Sequence, residues 1–209
     1  MAVLLLIRHG DTDYLGNRLA GRTPGVFLNE SGCQQASALA QSLSGLSLNA
    51  IYSSPLERTL QTARPLALLQ HLPVRVEPGL VELDYGDYQG QTFEFLRGQE
   101  LWKQVHLSPA QVRFPGGESL AEAQTRAEQT LVKIAQEAGE GDLVACFTHG
   151  DMVRLALAAF LDIPLDSYQR LDIRTASISV VQIEGSKVRV PQINHRPGEQ
   201  VFVPISAPS

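Results

Sequence analysis

Val3-Leu4-Leu5-Leu6-Ile7 is an unbroken apolar run that ends in Arg8-His9-Gly10. With no polar position to face water, it fits a short strand covered on both faces, as in a parallel sheet. The pattern recurs at Leu143-Val144-Ala145-Cys146-Phe147, which leads into Thr148-His149-Gly150. A briefer run, Ala50-Ile51-Tyr52, leads into Ser53-Ser54-Pro55. Elsewhere the apolar period lengthens to that of a helix. Ala36, Leu39, Ala40 and Leu43 make one stripe, predicting a helix over Ser31–Ser44. Ser54-Pro55-Leu56-Glu57 reads as a helix start, with Ser54 as N-cap, Pro55 in the first position and Glu57 closing a capping box. Ser119-Leu120-Ala121-Glu122 reads the same way and opens a helix to about Ala138.

Further helices are predicted over Thr92–Val105 and Met152–Leu161. Prolines at 73 and 78 make Pro73–Glu77 an edge strand. Alternation over 176–183 and 187–194, around Glu184-Gly185-Ser186, predicts a hairpin, and the last residues read as a tail. The fold class that follows is α/β, with buried strands of the kind found in a parallel sheet. Neither a repeat nor a low-complexity linker divides the chain, so one domain over 1–209 is expected.

Composition narrows the function. Apolar content of 44% and charged content of 19% are ordinary for a globular protein. A net charge of −5 argues against a nucleic-acid partner, and an anionic ligand would need local basic residues. Two cysteines, Cys33 and Cys146, make no disulfide scaffold, and no metal-ligand spacing is present. The first apolar run is short for a signal peptide and nothing approaches a membrane span, so a cytoplasmic protein with no membrane partner is expected. A homodimer is left open, because an apolar contact face on a helix reads like core.

Ligands of open α/β sheets sit beyond the carboxyl ends of the strands. If the three apolar strands are parallel neighbours, Arg8, His9, Arg58 and His149 meet at one rim. A single such histidine is more often an interior residue with a hydrogen-bond partner. Two His-Gly pairs, each closing a buried strand, point to a site instead. Arginine forks suit phosphate oxygens. The neighbouring cation, Arg8, keeps His9 neutral, and a neutral imidazole nitrogen is a nucleophile toward phosphorus. His149 could then stabilise transition-state charge. A leaving alkoxide needs a proton, and Glu82, in the apolar, glycine-punctuated segment Gly79–Gly90, is the best-placed acid; spacing alone allows Asp84 or Asp87 as well.

Arg8-His9-Gly10-Asp11-Thr12 resembles the signature of the histidine phosphatase superfamily, the phosphoglycerate-mutase-like fold. Four further segments follow in that family's order: Ser53–Ala63, Leu80–Gly86, Phe114–Ser119 and Thr148–Gly150. The resemblance implies a transient phosphohistidine at His9 and a phosphate pocket of Arg8, Arg58 and His149, with Thr12 in the same signature. It implies Glu82 as proton donor, no metal or organic cofactor, and an α/β fold with a mostly parallel central sheet flanked by helices on both faces, an antiparallel edge and a small helical cap inserted around 85–118. The family usually has an asparagine six residues after the nucleophile. Leu15 stands there, and Asn17 is the candidate to take its place at the phosphate.

A mutase of this family carries a longer insertion with paired arginines, whereas Gln91–Phe114 is compact and holds only Arg97 and Arg113. A phosphomonoesterase on a small phosphorylated metabolite is therefore expected ahead of a cofactor-dependent mutase. A non-catalytic phospho-ligand module is expected least, since nucleophile and acid are both present. A protein-phosphohistidine phosphatase would be shorter in the cap. Arg18, Arg22 and Arg113 are candidates for a second anionic group of the substrate, and Phe93, Phe95, Leu96 and Trp102 for an apolar wall.

Overall fold

The computed structural model describes residues 1–197. Its elements, in chain order, begin with β1 (Ala2–Arg8), α1 (Glu30–Ser42), β2 (Ala50–Ser53), α2 (Glu57–Gln70) and β3 (Val74–Val76). The cap helices α3 (Phe93–Arg97) and α4 (Glu100–Leu107) follow, then α5 (Leu120–Glu137), β4 (Leu143–Thr148), α6 (Gly150–Phe160), β5 (Ile178–Glu184) and β6 (Lys187–His195). The strands form one sheet in the order β3-β2-β4-β1-β5-β6. The first four are parallel, and β5 and β6 add an antiparallel edge. The tail expected from the last residues lies outside the described residues.

The apolar run of β1 is continuous because both of its faces are covered. Leu4 and Leu6 pack with Leu131, Ile134, Met152 and Ala156 of α5 and α6. Val3, Leu5 and Ile7 pack on the other side with Leu39, Leu43, Ala63 and Leu66 of α1 and α2. A third cluster roots the cap: Leu96 and Val105 pack with Val112, Phe114, Leu120, Leu155 and Tyr168. Truncating Leu5, which has no exposed surface, to alanine is expected to cost about 2–5 kcal/mol, read by denaturant unfolding.

Sequence order separates β1 from β4 by some 130 residues, but the sheet pairs them in register, with Arg8 opposite Thr148. His9 extends the pairing, its N–H donating to the Thr148 carbonyl at 3.0 Å. This register places the two histidines side by side.

The predicted elements were corrected in two places. Helix α2 starts at Glu57, with Leu56 at the cap position and no side-chain cap. Ser54 still belongs to the sheet, its N–H bonded to the Phe147 carbonyl at 2.9 Å. Glu57 turns away to accept the Gly25 N–H at 3.0 Å. The Ser119 box, by contrast, forms in full. The helix expected over Thr92–Val105 is two short ones, α3 capped by Thr92 and ending at Gly98, then α4. The chain leaves the helical conformation at Gln99, which is extended between the two helices.

Candidate active site

Past the ends of β1, β2 and β4 opens a cavity of about 390 Å³. Arg8, His9, Thr12, Arg58 and Glu82 line its floor; Tyr14, Leu15, Arg18, Phe93, Trp102 and His106 line the mouth.

His9 is buried, and its surroundings fix its tautomer. Nδ1 lies 2.7 Å from the Gly10 carbonyl, which can only accept, so Nδ1 carries the proton. Nε2 accepts from Arg58 Nε at 3.2 Å and therefore presents a lone pair. Burial, then the Arg58 and Arg8 charges, holds this ring well below the ordinary histidine pKa. His9 is a neutral imidazole at neutral pH, with its lone pair on Nε2.

Arg58 has no exposed surface. Its Nη2 donates to the Gly21 carbonyl at 2.7 Å and to His149 Nδ1 at 3.1 Å, while its Nη1 is buried with no partner. Arg8 donates through Nη1 to the Ile173 carbonyl at 2.6 Å, and its Nε is likewise buried and unpartnered. A buried unpaired donor typically costs about 1–3 kcal/mol, more when charged, so two guanidinium donors held this way make a preformed anion cradle. Gly150 is the third part of the cradle: a Cβ there would sit 3.1 Å from Arg8 Nε, so the residue after His149 has to be small.

His149 lies beneath Arg58, fully buried and outside the cavity lining. Its Nε2 faces Ser54 Oγ at 2.8 Å and its ring centroid is 5.2 Å from that of His9. Burial, with the Arg58 charge second, depresses its pKa well below the usual value.

Glu82 reaches the same floor, its Oε2 3.9 Å from His149 Nδ1 and its Oε1 accepting the Leu83 N–H at 2.9 Å. Burial, with help from the negative charge of Asp151 and against Arg58, raises its carboxyl to about 7. At neutral pH a large fraction of Glu82 holds a proton that it can give away. The carboxyl owes its placement to two arginines. Arg126 Nη1 donates to the Gly79 and Val81 carbonyls, both at 2.8 Å, and Arg22 Nε donates to the Glu82 carbonyl at 2.8 Å. Glu118 joins them, 2.9 Å from Arg22 Nη2 and 2.8 Å from Arg126 Nη2. Against the upward push of burial, those contacts hold Glu118 below the ordinary carboxylate range.

The candidate residues therefore divide. His9, Arg8, Arg58, Glu82 and His149 converge, and Thr12 is buried on the cavity wall. Asn17 does not come to the site: its side chain is exposed, and its backbone is tied to Tyr14 and Phe93. Arg22 does not line this cavity and instead braces the Glu82 loop, pairing also with Asp84 at 3.2 Å. Arg113 pairs with Glu122 outside the cavity, Phe95 is exposed and Leu96 is core, leaving Arg18, Phe93 and Trp102 at the mouth. Sequence reading missed Asp151, whose carboxylate takes a short hydrogen bond from Tyr85 and a 2.9 Å contact from Arg154. Its signal was available: Asp151 follows His149-Gly150 directly in the first turn of α6.

Arg22→Ala is expected to lower Tm by several degrees and kcat by about tenfold, since it frees Glu118 and the Glu82 carbonyl from one of their donors. Thermal unfolding and steady-state kinetics check the two effects separately.

The model of the histidine phosphatase superfamily (branch 1) matches residues 4–196. Phosphoserine phosphatase 1 of Hydrogenobacter thermophilus is 31% identical over 93% of this chain and 92% of its own. Among solved structures, Bacillus stearothermophilus YhfR superposes with a TM-score of 0.87 at 28% identity, covering 93% of this chain and 98% of the other. A phosphoserine phosphatase of Entamoeba histolytica, solved with 3-phosphoglyceric acid, gives 0.82 at 28% identity, covering 93% and 97%. The chain belongs to the histidine phosphatase superfamily.

Proposed function

We propose that this member of the histidine phosphatase superfamily hydrolyses phosphomonoesters of small metabolites through a phosphohistidine on Nε2 of His9. The observation that carries the reading is the Nε2 lone pair of His9 beside two buried guanidinium N–H groups without acceptors, with a raised carboxyl on the same floor. The relatives support it, two of those compared being phosphoserine phosphatases, one solved with a small phosphorylated acid bound.

In the first step Nε2 of His9 attacks phosphorus while Arg8 and Arg58 hold the oxygens. The bond from phosphorus to the ester oxygen breaks, and the Glu82 carboxyl gives its proton to that oxygen, releasing the alcohol. In the second step the Glu82 carboxylate takes a proton from water and the water oxygen attacks phosphorus. The P–N bond breaks, His9 returns neutral, and inorganic phosphate leaves. Release of one inorganic phosphate per alcohol, with a chelator present and no isomerised phosphoester, is the expected result with a panel of small monoesters. Formation of a rearranged phosphoester without phosphate release would establish the mutase reading instead.

The pH dependence follows from the same groups. Glu82 must be protonated, so kcat/KM is expected to hold below about 7 and to fall above it. His9 must be neutral, and its depressed pKa puts the acid limb below the usual histidine range. A bound phosphate dianion pushes Glu82 up further, so the alkaline limb of kcat should lie at higher pH than that of kcat/KM. Steady-state profiles of both parameters check the ordering.

A further inference from the structure

The hydrogen bonds around His149 decide which of its nitrogens can serve a bound phosphoryl group. Arg58 is a donor only, so its Nη2, 3.1 Å from Nδ1, makes Nδ1 the acceptor in the neutral ring. The ring proton is then on Nε2, which points at Ser54 Oγ 2.8 Å away. In this state His149 turns a lone pair toward Arg58 and Glu82. A phosphoryl oxygen is an acceptor and cannot bind a lone pair. For His149 to contribute, Nδ1 has to gain a proton, and the Nε2 proton has to keep a partner in a place with no exposed surface.

Ser54 is that partner. It has no exposed surface, and its backbone is held by the sheet through its N–H and by the Ser53 and Thr59 hydroxyls at its carbonyl. Its Oγ meets the ring nitrogen at 2.8 Å and also accepts the Leu56 N–H at 3.4 Å, the longer of the two contacts.

We propose that Ser54 is a positioning residue for the phosphoryl-transfer reaction: it keeps the Nε2 proton of His149 in place, so that Nδ1 takes up the proton it then donates to the bound phosphoryl group. The proton comes from solvent or from a monoanionic substrate; as it arrives the Arg58 Nη2 hydrogen bond to Nδ1 breaks, Nη2 keeps the Gly21 carbonyl, and the ring becomes a cation between Ser54 and the anion. No bond between heavy atoms changes. The opposing groups are Arg58, Arg8 and Arg126, whose charges keep the ring neutral until an anion arrives, the neighbouring His9, and Glu82, the acid on the same side. The inference rests on the phosphatase reading, because it needs a phosphoryl oxygen at this floor.

Nitrogen-15 NMR of the histidine rings, with His149 assigned from a His149→Gln sample, tests it with inorganic phosphate as the probe. Without phosphate, His149 should show a protonated Nε2 and an unprotonated Nδ1; at saturating phosphate both should be protonated. Ser54→Ala should show a mixed tautomer in the free protein and lose roughly ten- to a hundredfold in kcat with little change in KM, the loss expected when a buried donor is left unpaired. Ser54→Thr, which keeps the hydroxyl, should recover most of it. An Nδ1 that stays unprotonated with phosphate bound overturns the proposal, and so does a Ser54→Ala enzyme with wild-type tautomer and kcat. If Ser54→Ala does not fold, the wild-type titration decides alone. Failure of phosphate to bind at all would bring down the phosphatase reading itself, and this inference with it.

Discussion

His9→Ala is expected to remove turnover of every phosphomonoester, by at least about a thousandfold, while the protein stays folded. The size follows from what is lost. Arg8 and Arg58 still present their buried donors, so the phosphate group still binds, and KM-type affinity for phosphate or a product analogue should survive. What disappears is the imidazole nitrogen that faces the cavity beside the cradle. His149 cannot replace it, because its ring is fully buried and does not line the cavity. Folding should tolerate the change, since the substitution leaves a small polar gap at the cavity floor and not a hole in the core. Binding of phosphate to His9→Ala by calorimetry, alongside the absence of turnover, separates loss of chemistry from loss of the site.

Glu82→Gln is the second large effect, and it should depend on the leaving group. General acid catalysis contributes roughly a hundredfold to ten-thousandfold where a poor leaving group must be protonated. An alkyl phosphate should therefore lose activity on that scale in Glu82→Gln. An aryl phosphate with an acidic phenol needs little help to leave, and its formation of the phosphoenzyme should be nearly unchanged. The alkaline limb near 7 should vanish in the variant, because the group that titrates there is gone. Stability should move the other way. A buried carboxyl whose folded pKa is raised loses stability as pH rises from its unfolded value toward about 7. Glu82→Gln should then unfold at a higher temperature than the parent at pH 8, with little difference at pH 4. Equal losses on alkyl and aryl esters would mean that Glu82 does not act as the acid.

Much of the fold was legible because its strongest signals are local. The apolar runs of β1 and β4 contain no polar position, which only a strand covered on both faces requires. The Ser119 box and the hairpin around Gly185-Ser186 formed where their turn chemistry put them. Ser54 shows the limit: Ser-Pro-Leu-Glu has the composition of a cap, yet a sheet bond and a buried histidine claimed the serine first. Such competition comes from 95 residues away and leaves no local trace. The single helix expected over Thr92–Val105 is interrupted at Gln99, whose extended backbone separates the two cap helices.

The site divides on the same line. Residues that end a strand, such as Arg8, His9 and His149, inherit their position from the sheet and could be placed from sequence. Arg22 and Asn17 sit in a long loop, where spacing says little about direction. Asn17 turned out to point to solvent, and Arg22 to reach back under the Glu82 loop to Glu118. The loop's arginine was visible in the sequence, but its carboxylate partner nearly a hundred residues later was not.

The measurement that bears most directly on the account is rapid acid quenching of the working enzyme with a labelled phosphomonoester, followed by base treatment and peptide mapping. Phosphate that is labile to acid and stable to base, carried on the peptide containing His9 and absent from His9→Ala, is the predicted result. With Glu82→Gln and an aryl ester, the labelled fraction should rise, since attack proceeds while activation of water is slowed. Steady release of phosphate with no labelled peptide at any time, or label on a different residue, would contradict a covalent mechanism at His9.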